Sequence, residues 1–210
     1  MSGARFVITG TDTDIGKTVF AAALTGALGA SYWKPIQSGL DSETDSQTVA
    51  RLSPATATKI LPEAYRLATP ASPHLSAEID GVVIDAGGLN PPDVDGPLVI
   101  EGAGGLLVPL SRQVLTIEIF ARWGLPTILC ARTRLGAINH ALLSLRALAT
   151  WKVPLAGVVF IGDEMADTQA TIATFSGARI LGRLPRVDPL NPESLRAAFA
   201  AHFNLADFTS

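Results

Sequence analysis

The stretch that decides the fold is Gly10-Thr11-Asp12-Thr13-Asp14-Ile15-Gly16-Lys17-Thr18. The apolar run 5–9 before it predicts a strand, and the run 19–24 after it predicts a helix. A strand, a glycine-bearing loop and a helix in this order can hold phosphate, because amides of the loop and of the helix start point inward and the helix dipole adds positive potential. Five residues separate Gly10 from Gly16, one more than in the general phosphate-loop pattern.

Two side chains at the end of this loop suit a triphosphate. Lys17 is placed to reach the β- and γ-phosphates, and the hydroxyl of Thr18 is placed to ligate Mg²⁺. The sequence therefore predicts nucleotide binding near its amino-terminal end.

Length and composition predict one globular domain, residues 1–210. A hydrophobic content of 48% with only 17% charged residues excludes a disordered chain. The net charge of −3 and the lack of a Lys/Arg-rich tract give no reason to expect nucleic acid or a membrane as a partner. The first apolar run ends at Thr9 and none approaches the ~18 residues of a membrane span, so neither a signal peptide nor a membrane helix is expected. The single cysteine, Cys130, lies in a predicted buried strand and suits a reducing compartment, so we expect a cytoplasmic protein.

Short β-rich runs alternate with longer helical ones along the chain. Continuous apolar runs such as Val158-Val159-Phe160-Ile161 predict a parallel sheet covered on both faces. The expected fold class is therefore α/β: a doubly wound, mostly parallel sheet with helices on both faces, of the P-loop NTPase type. The proline-rich region 53–97 is expected to be the least regular. Strands are predicted at 5–9, 31–35, 82–85, 98–101, 127–131, 155–161 and 179–184, and helices near 16–29, 44–52, 114–123, 136–151, 165–175 and 192–202.

Polar side chains follow the predicted strands at their carboxyl ends, where ligands bind in such sheets. Lys34 ends the second strand, and an ammonium among apolar residues needs a partner because desolvating an unpaired charge is expensive. From these residues alone, a strand-end lysine that reaches solvent is the alternative. Ser38 adds a hydroxyl in the loop that Pro35 and Gly39 mark.

Acidic residues offer candidate metal ligands. Glu101 ends an apolar strand just before the run 102–105. A nucleotide enzyme holds its metal with an acidic residue at such a strand end. The glycines after it allow the backbone to approach a ligand closely. The alternative is that Glu101 only caps a turn. Among Asp41, Glu43 and Asp45, beside the start of a predicted helix, nothing local decides which would act as a ligand.

Four motifs, taken in order, resemble the dethiobiotin synthetases, the ATP-dependent carboxylase-cyclases of biotin synthesis. They are Gly-Thr-Asp-Thr-x-x-Gly-Lys-Thr, Lys-Pro-x-x-Ser-Gly, Glu-Gly-Ala-Gly-Gly and Leu-Gly-x-Ile-Asn-His, the last at 135–140. The longer phosphate loop is also that family's pattern. The resemblance implies a reaction in which an amine of 7,8-diaminononanoate takes up CO₂ as a carbamate. The carbamate oxygen then attacks the γ-phosphate of ATP, and the second amine displaces phosphate to close a urea ring.

The resemblance also implies residue roles. Lys34 and Lys17 would be catalytic, and Thr18, Asp45 and Glu101 would hold Mg²⁺. The diamine would lie against Thr11 and Ser38, and a homodimer is expected because its carboxylate would be held by a second subunit through Gly136, Ala137, Ile138 and Asn139. The nucleotide would be bound by Asp14, Ile15, Gly16, Lys17, Thr18, Val19, Glu101, Gly102, Ala103 and Gly104, with Gly162, Leu184, Pro185 and Arg186 near the base.

The chain departs from the family's pattern at two positions. The family often has Glu where this chain has Asp14, so a contact made there reaches one methylene less. Many members read adenine through an Asn-Asp pair after a Leu-Ala-Gly strand, whereas 155–157 leads here to Phe160-Ile161-Gly162-Asp163. We therefore expect relaxed selectivity for the base.

Two other functions fit a chain of this kind less well. An ATP-dependent amide ligase of the cobyrinic acid type usually carries a glutaminase domain, for which 210 residues leave no room. A partition-type ATPase switch places an extra lysine early in the phosphate loop, and residues 10–13 contain none. His74 and His140 have no evident partner in the sequence and are not included among the catalytic residues.

Overall fold

The computed structural model describes residues 2–209, with the backbone only at Ser2 and Thr58; both ends of the predicted domain, Met1 and Ser210, lie outside this range. Helices and strands alternate along most of the chain, with short 3₁₀ segments at Pro54–Lys59 and Leu205–Phe208. The strands are β1 (Ser2–Gly10), β2 (Ser31–Trp33), β3 (Ile36–Ser38), β4 (Tyr65–Leu67), β5 (Gly96–Gly105), β6 (Thr127–Arg132), β7 (Leu155–Ile161) and β8 (Ile180–Leu184). The helices are α1 (Lys17–Leu28), α2 (Asp45–Leu52), α3 (Pro73–Ile79), α4 (Thr116–Trp123), α5 (Ala137–Thr150), α6 (Ala166–Ser176) and α7 (Pro192–His202).

Six of the strands form one parallel sheet in the order β2-β5-β1-β6-β7-β8. After β1, the strands β2 and β5 lie on one side of it, and the later strands β6, β7 and β8 lie on the other. The strand order therefore reverses at β1. A crevice opens at such a point outside the carboxyl ends of the strands. The loop 11–16 leaves β1 at this place. The predicted fold class is confirmed.

Helices cover both faces of the sheet, and alternate residues of a strand point to opposite faces. In β1, Val7 packs with residues of α4 and α5, whereas Phe6 and Ile8 pack with residues of α1 and α7. Cys130 of β6 is wholly buried on the α1 side, and burial raises the pKa of its thiol. Burial on both faces explains why the central strands are apolar throughout.

The predicted strand 82–85 is wrong. The backbone of Val82 donates to the carbonyl of Ala77 and closes the end of α3, while the amide of Asp85 donates to the hydroxyl of Tyr65. These contacts leave no strand ladder, and Val83 is 87% exposed. The apolar run is therefore irregular chain that follows α3, a helix that the sequence did not predict.

The predicted strand 31–35 is shorter in the structure, and a second strand that was not predicted follows it. Proline has no amide hydrogen to continue a ladder, and β2 ends at Trp33 just before Pro35. The chain resumes as β3, which pairs in parallel with β4 in a separate two-stranded sheet. Region 53–97 therefore contains β4 and α3 as well as irregular chain. The other predicted elements differ from those described only at their ends. Within residues 2–209, no helix combines the length and apolarity that crossing a membrane requires.

Candidate active site

The loop between β1 and α1 is held in an unusual backbone conformation. Gly16 has φ 93° and Asp14 has φ 52°, both in the left-handed region, which is uncommon for a residue other than glycine. Gly16 precedes α1 without a side chain to cap it, so the first amides of the helix are left to a ligand. Lys17 is buried and its Nζ donates to the carbonyl of Asp12 at 2.8 Å, across the loop. Burial lowers the pKa of Lys17, although Glu101 acts in the opposite direction.

Four side chains from different elements meet beside this loop. The Nζ of Lys34, after β2, lies 2.5 Å from Oδ2 of Asp45 at the start of α2 and 3.3 Å from Oε1 of Glu101 in β5. The hydroxyl of Thr18, in the first turn of α1, lies 2.8 Å from Oε1 of Glu101 and 3.0 Å from Oδ1 of Asp45. We refer to Thr18, Lys34, Asp45 and Glu101 as the charged cluster.

Buried charge controls the electrostatics of the charged cluster. Burial alone would lower the pKa of Lys34, but the carboxylates of Glu101 and Asp45 outweigh it and hold that pKa above its usual value. Burial alone would raise the pKa of Asp45, and the ammonium of Lys34 outweighs it in turn, so the pKa of Asp45 is lowered. Lys34 and Asp45 are therefore both charged at neutral pH. Lys34 is a buried cation with two anionic partners, and the solvent-exposed alternative for it is wrong.

The donors of the charged cluster suit Mg²⁺. Two carboxylates and a hydroxyl are hard oxygen ligands, and Mg²⁺ is usually held by one or two carboxylates together with waters and phosphate oxygens. No set of three or more His, Cys, Asp or Glu residues in 2–209 is arranged to hold a metal by itself. The three residues predicted as metal ligands thus lie together, but as part of a site that a phosphate and water would complete.

A cleft of about 490 Å³ opens next to the charged cluster. Its lining includes Asp14, Lys34, Asp45, Ala103 and Gly104. Ser38 also lines it, and within the described residues the buried Oγ of Ser38 has no hydrogen-bond partner. A small polar ligand in this cleft would meet both a free hydroxyl and the ammonium of Lys34.

The start of α5 borders a different cleft, of about 310 Å³. Thr11, Arg132, Gly136 and Ala137 are among the residues that line this second cleft. Ile138 instead packs against the core, and Asn139 is exposed to solvent. The predicted contact of 136–139 with a second subunit therefore stays a prediction.

The residues predicted to lie near the base are also neighbours. The amide of Gly162 donates to the carbonyl of Leu184 at 3.0 Å, and Arg183 donates to the carbonyl of Gly162 at 2.9 Å. Arg186 is exposed, with its Nε 3.9 Å from a carboxylate oxygen of Asp163. Ile161 packs beneath the phosphate loop, since a Cβ at Gly16 would come within 2.9 Å of its Cγ2.

Sequence reasoning missed three residues that shape the site. The hydroxyl of Tyr32 donates to Oε2 of Glu101 at 2.8 Å, and burial raises the pKa of Tyr32 so that it remains a donor. The side chain of Gln37 accepts from the amide of Asp45 at 3.2 Å and so fixes the start of α2. Arg132 donates to the phosphate loop. A phenol inside an apolar strand was the one available signal, because a buried tyrosine hydroxyl usually has a partner.

The fold and the site together define a P-loop nucleotide-binding protein: a phosphate loop leaves the central strand of a parallel sheet beside a lysine, two carboxylates and a threonine. A family model described as "AAA domain" matches residues 4–194. The chain is 66% identical over 204 residues to the ATP-dependent dethiobiotin synthetase BioD of Agrobacterium fabrum, covering 97% of this chain and 96% of the relative. It is 60% identical over 204 residues to the protein of that name from Sphingopyxis alaskensis, covering 97% and 98%. The chain belongs to the dethiobiotin synthetase family, and the predicted resemblance is confirmed.

Two solved structures share the fold at 13% identity. One is a ParA family ATPase from Chlorobium tepidum, with a TM-score of 0.53 and coverage of 94% of this chain and 92% of that one. The other is a MinC:MinD cell division protein complex from Aquifex aeolicus, with a TM-score of 0.51 and coverage of 93% and 86%. At this level of identity, the likeness concerns the fold alone.

Proposed function

We propose that this protein is an ATP- and Mg²⁺-dependent cyclo-ligase that forms the ureido ring of dethiobiotin from 7,8-diaminononanoate and CO₂, with release of ADP and phosphate. A relative that is 66% identical over nearly the whole chain is named an ATP-dependent dethiobiotin synthetase. The observation that carries the proposal is the position of Lys34, whose ammonium lies between the two carboxylates of the charged cluster and faces the cleft that contains Ser38.

Each bond change follows from the chemistry of the substrates. One amine of the diamine adds to CO₂, loses a proton and becomes a carbamate. A carbamate oxygen attacks the γ-phosphorus of ATP, and ADP leaves. The second amine attacks the carbonyl carbon of the resulting mixed anhydride, phosphate leaves with the bonding electron pair, and the amine loses its proton as the ring closes.

The residues of the site supply positioning and charge, which is most of what phosphoryl transfer requires from a protein. Lys17 and the amides of the loop would hold the triphosphate. Lys34 would stabilise the negative charge that develops on the transferring phosphoryl group and the carbamate. Mg²⁺ bound by Thr18, Asp45 and Glu101 would supply further neutralisation of phosphate charge. The free hydroxyl of Ser38 would bind the diamine.

A homodimer completes the proposal. The amino-terminal end of α5 lies beside the second cleft, and the amides of a helix start attract an anion such as a carboxylate. In the dimer, the start of α5 from one subunit, residues 136–139, would bind the carboxylate of the diamine held in the other subunit's site. The protein would act in the cytoplasm.

Incubation with 7,8-diaminononanoate, ATP, Mg²⁺ and labelled bicarbonate tests this function. Label should enter an acid-stable product, because acid releases CO₂ from a carbamate but not from a urea ring. Phosphate should be released only when diamine and bicarbonate are both present. Lys34→Ala should lose incorporation, whereas Lys59→Ala, at an exposed lysine away from both clefts, should retain it.

The same assay separates the other candidate functions. Phosphate release without diamine that a protein partner stimulates would support a partition-type switch. Phosphate release that depends on an acid substrate and an ammonia donor would support an amide ligase. Either result, with no label in an acid-stable product, would overturn the proposed function.

A further inference from the structure

Arg132 links the end of β6 to the phosphate loop. β6 lies beside β1 in parallel register, with Cys130 opposite Gly10. Arg132 is therefore two residues beyond this pair, level with the loop that follows β1. Its Nη2 donates to the carbonyl of Thr13 at 2.9 Å and also to the carbonyl of Asp14.

These two carbonyls determine where two amides point. A trans peptide group is planar, with its C=O and N–H on opposite sides. The carbonyl of Thr13 shares a peptide group with the amide of Asp14, and the carbonyl of Asp14 shares one with the amide of Ile15. When Arg132 holds both carbonyls on its own side, both amides face the other way. Within residues 2–209, neither amide has a hydrogen-bond acceptor.

The backbone conformation beside Arg132 is rare in the described part of the chain. Asp14 has φ 52°, and Asp14 and Lys152 are the only non-glycine residues with a positive φ in the described part of the chain. A side chain in this region is disfavoured and persists where its surroundings impose it. The Nη2 nitrogen carries two N–H donors, so it can bind two adjacent carbonyls at once.

We propose that Arg132 is a positioning residue for the triphosphate: by binding the outward carbonyls of Thr13 and Asp14, it turns the amides of Asp14 and Ile15 toward the phosphate oxygens. The inference rests on the proposed use of ATP at this loop. Arg132 thereby acts on the protein backbone, without contact to the nucleotide, and it also lines the second cleft.

Arg132→Met tests the inference, because it keeps an unbranched apolar stem and removes every donor. The dissociation constant for ATP, measured by calorimetry without diamine, should rise about ten- to a hundredfold, which corresponds to losing one hydrogen bond to a charged group. The KM for ATP should rise in parallel, while kcat at saturating ATP should change little. Arg146→Met, at an exposed arginine of α5, serves as the matched control and should bind ATP like the wild type.

Hydrogen exchange separates positioning from a direct contact and from a general structural role. In the wild-type complex with ATP, the amides of Asp14 and Ile15 should be protected, and Arg132→Met should lose this protection with an unchanged Tm in the absence of ATP. Unchanged ATP affinity in this variant would overturn the inference. Weakened affinity with full protection of both amides would also overturn it, because Arg132 would then contact the phosphate itself. If the wild type does not bind ATP at all, the proposed function fails together with the inference.

Discussion

At the scale of single residues, Lys34 and a metal ion would share the same partners. Lys34 is wholly buried and balances Asp45 and Glu101, so its removal leaves two carboxylates facing each other with one cation fewer. Breaking a buried ion pair in this way destabilises a protein strongly, because the remaining charge is uncompensated. The structure thus predicts that Lys34 contributes to stability as well as to catalysis.

Lys34→Met should therefore lower the free energy of unfolding in metal-free buffer by up to about 3–5 kcal/mol. Mg²⁺ should restore part of this loss and should bind more tightly than to the wild type, because a competing cation is gone. Turnover should fall on the order of 10²–10³ even with saturating Mg²⁺. Urea unfolding with and without Mg²⁺, together with steady-state rates, measures all three effects. Near-normal turnover, or weaker Mg²⁺ binding than in the wild type, would contradict this account.

Ile161 carries a second prediction at this scale. Its side chain packs beneath Gly16 and offers no hydrogen-bonding group to a base. A site that reads adenine through an amide leaves polar groups unpaired when another base enters, and the side chain of Ile161 cannot supply this discrimination. We expect kcat/KM for GTP and CTP to be within about one to two decades of that for ATP. A preference for ATP above about 10³-fold would show that other groups read the base.

The sequence identified some residues of the site and not others, for a physical reason. The phosphate loop is a local pattern, so Lys17 and Thr18 could be read directly. Only the family resemblance could indicate which of Asp41, Glu43 and Asp45 is the metal ligand. In the structure, Asp41 is exposed and Glu43 pairs with Arg51, which lowers the pKa of Glu43 to about 2. Of these three acids, only Asp45 contacts Lys34 and Thr18.

At the scale of elements, the start of α2 fixes one part of the site. The hydroxyl of Thr44 accepts from the amide of Gln47 at 3.3 Å, and the side chain of Gln47 accepts from the amide of Thr44 at 2.8 Å. This reciprocal pair is a capping box. Because Asp45 is the first residue of α2, the cap that starts the helix also holds the backbone that carries Asp45.

Thr44→Ala should lower the free energy of unfolding by about 1 kcal/mol, in the range of about 0.5–2 kcal/mol for a lost helix cap. It should also raise the Mg²⁺ concentration needed for half-maximal rate, because Asp45 would no longer be held in place. Thr44→Ser retains the hydroxyl and should preserve both quantities. A Thr44→Ala protein that is destabilised but keeps the wild-type Mg²⁺ dependence would show that the cap and the site are independent.

The elements that the sequence failed to predict are short and depend on distant partners. β3 and β4 have three residues each and pair only with one another, across 28 intervening positions from Ile36 to Tyr65. No local periodicity marks strands of this length. The long strands and helices were predicted because burial on one or both faces leaves a repeating apolar pattern. The wrong strand at 82–85 shows the limit of that argument, since Ile84 is buried while Val83 is almost fully exposed.

At the scale of the whole molecule, the parallel sheet assembles the site from distant parts of the chain. Ile8 of β1 lies opposite Glu101 of β5, and Trp33 of β2 lies opposite Ile100. The phosphate loop, Glu101 and Lys34 therefore lie together at the edge of the sheet where these strands have their carboxyl ends. The general rule for such sheets made this convergence predictable from the sequence. The contacts of the charged cluster were not predictable, because they depend on side-chain distances between separate elements.

The proposed dimer gives a prediction at this scale. Lys34→Ala and Asn139→Ala should each impair turnover, and mixing them under conditions of subunit exchange should restore activity. Random exchange makes half of the dimers mixed, and each mixed dimer has one site with both residues intact, so about one quarter of the wild-type rate should return. Each variant exchanged with itself provides the control. A monomer that is fully active in sedimentation at assay concentration would contradict the shared site.

The single cysteine of the chain can report how often the sheet opens. Cys130 lies in β6, next to the strand from which the phosphate loop departs, and is wholly inaccessible. A thiol reagent can modify it only in molecules whose sheet has come apart, so the labelling rate follows the population of that opened form. A ligand that binds only the closed sheet lowers this population by the factor 1 + [L]/Kd. Alkylation kinetics at a series of nucleotide concentrations would therefore measure nucleotide affinity in the protein without any substitution.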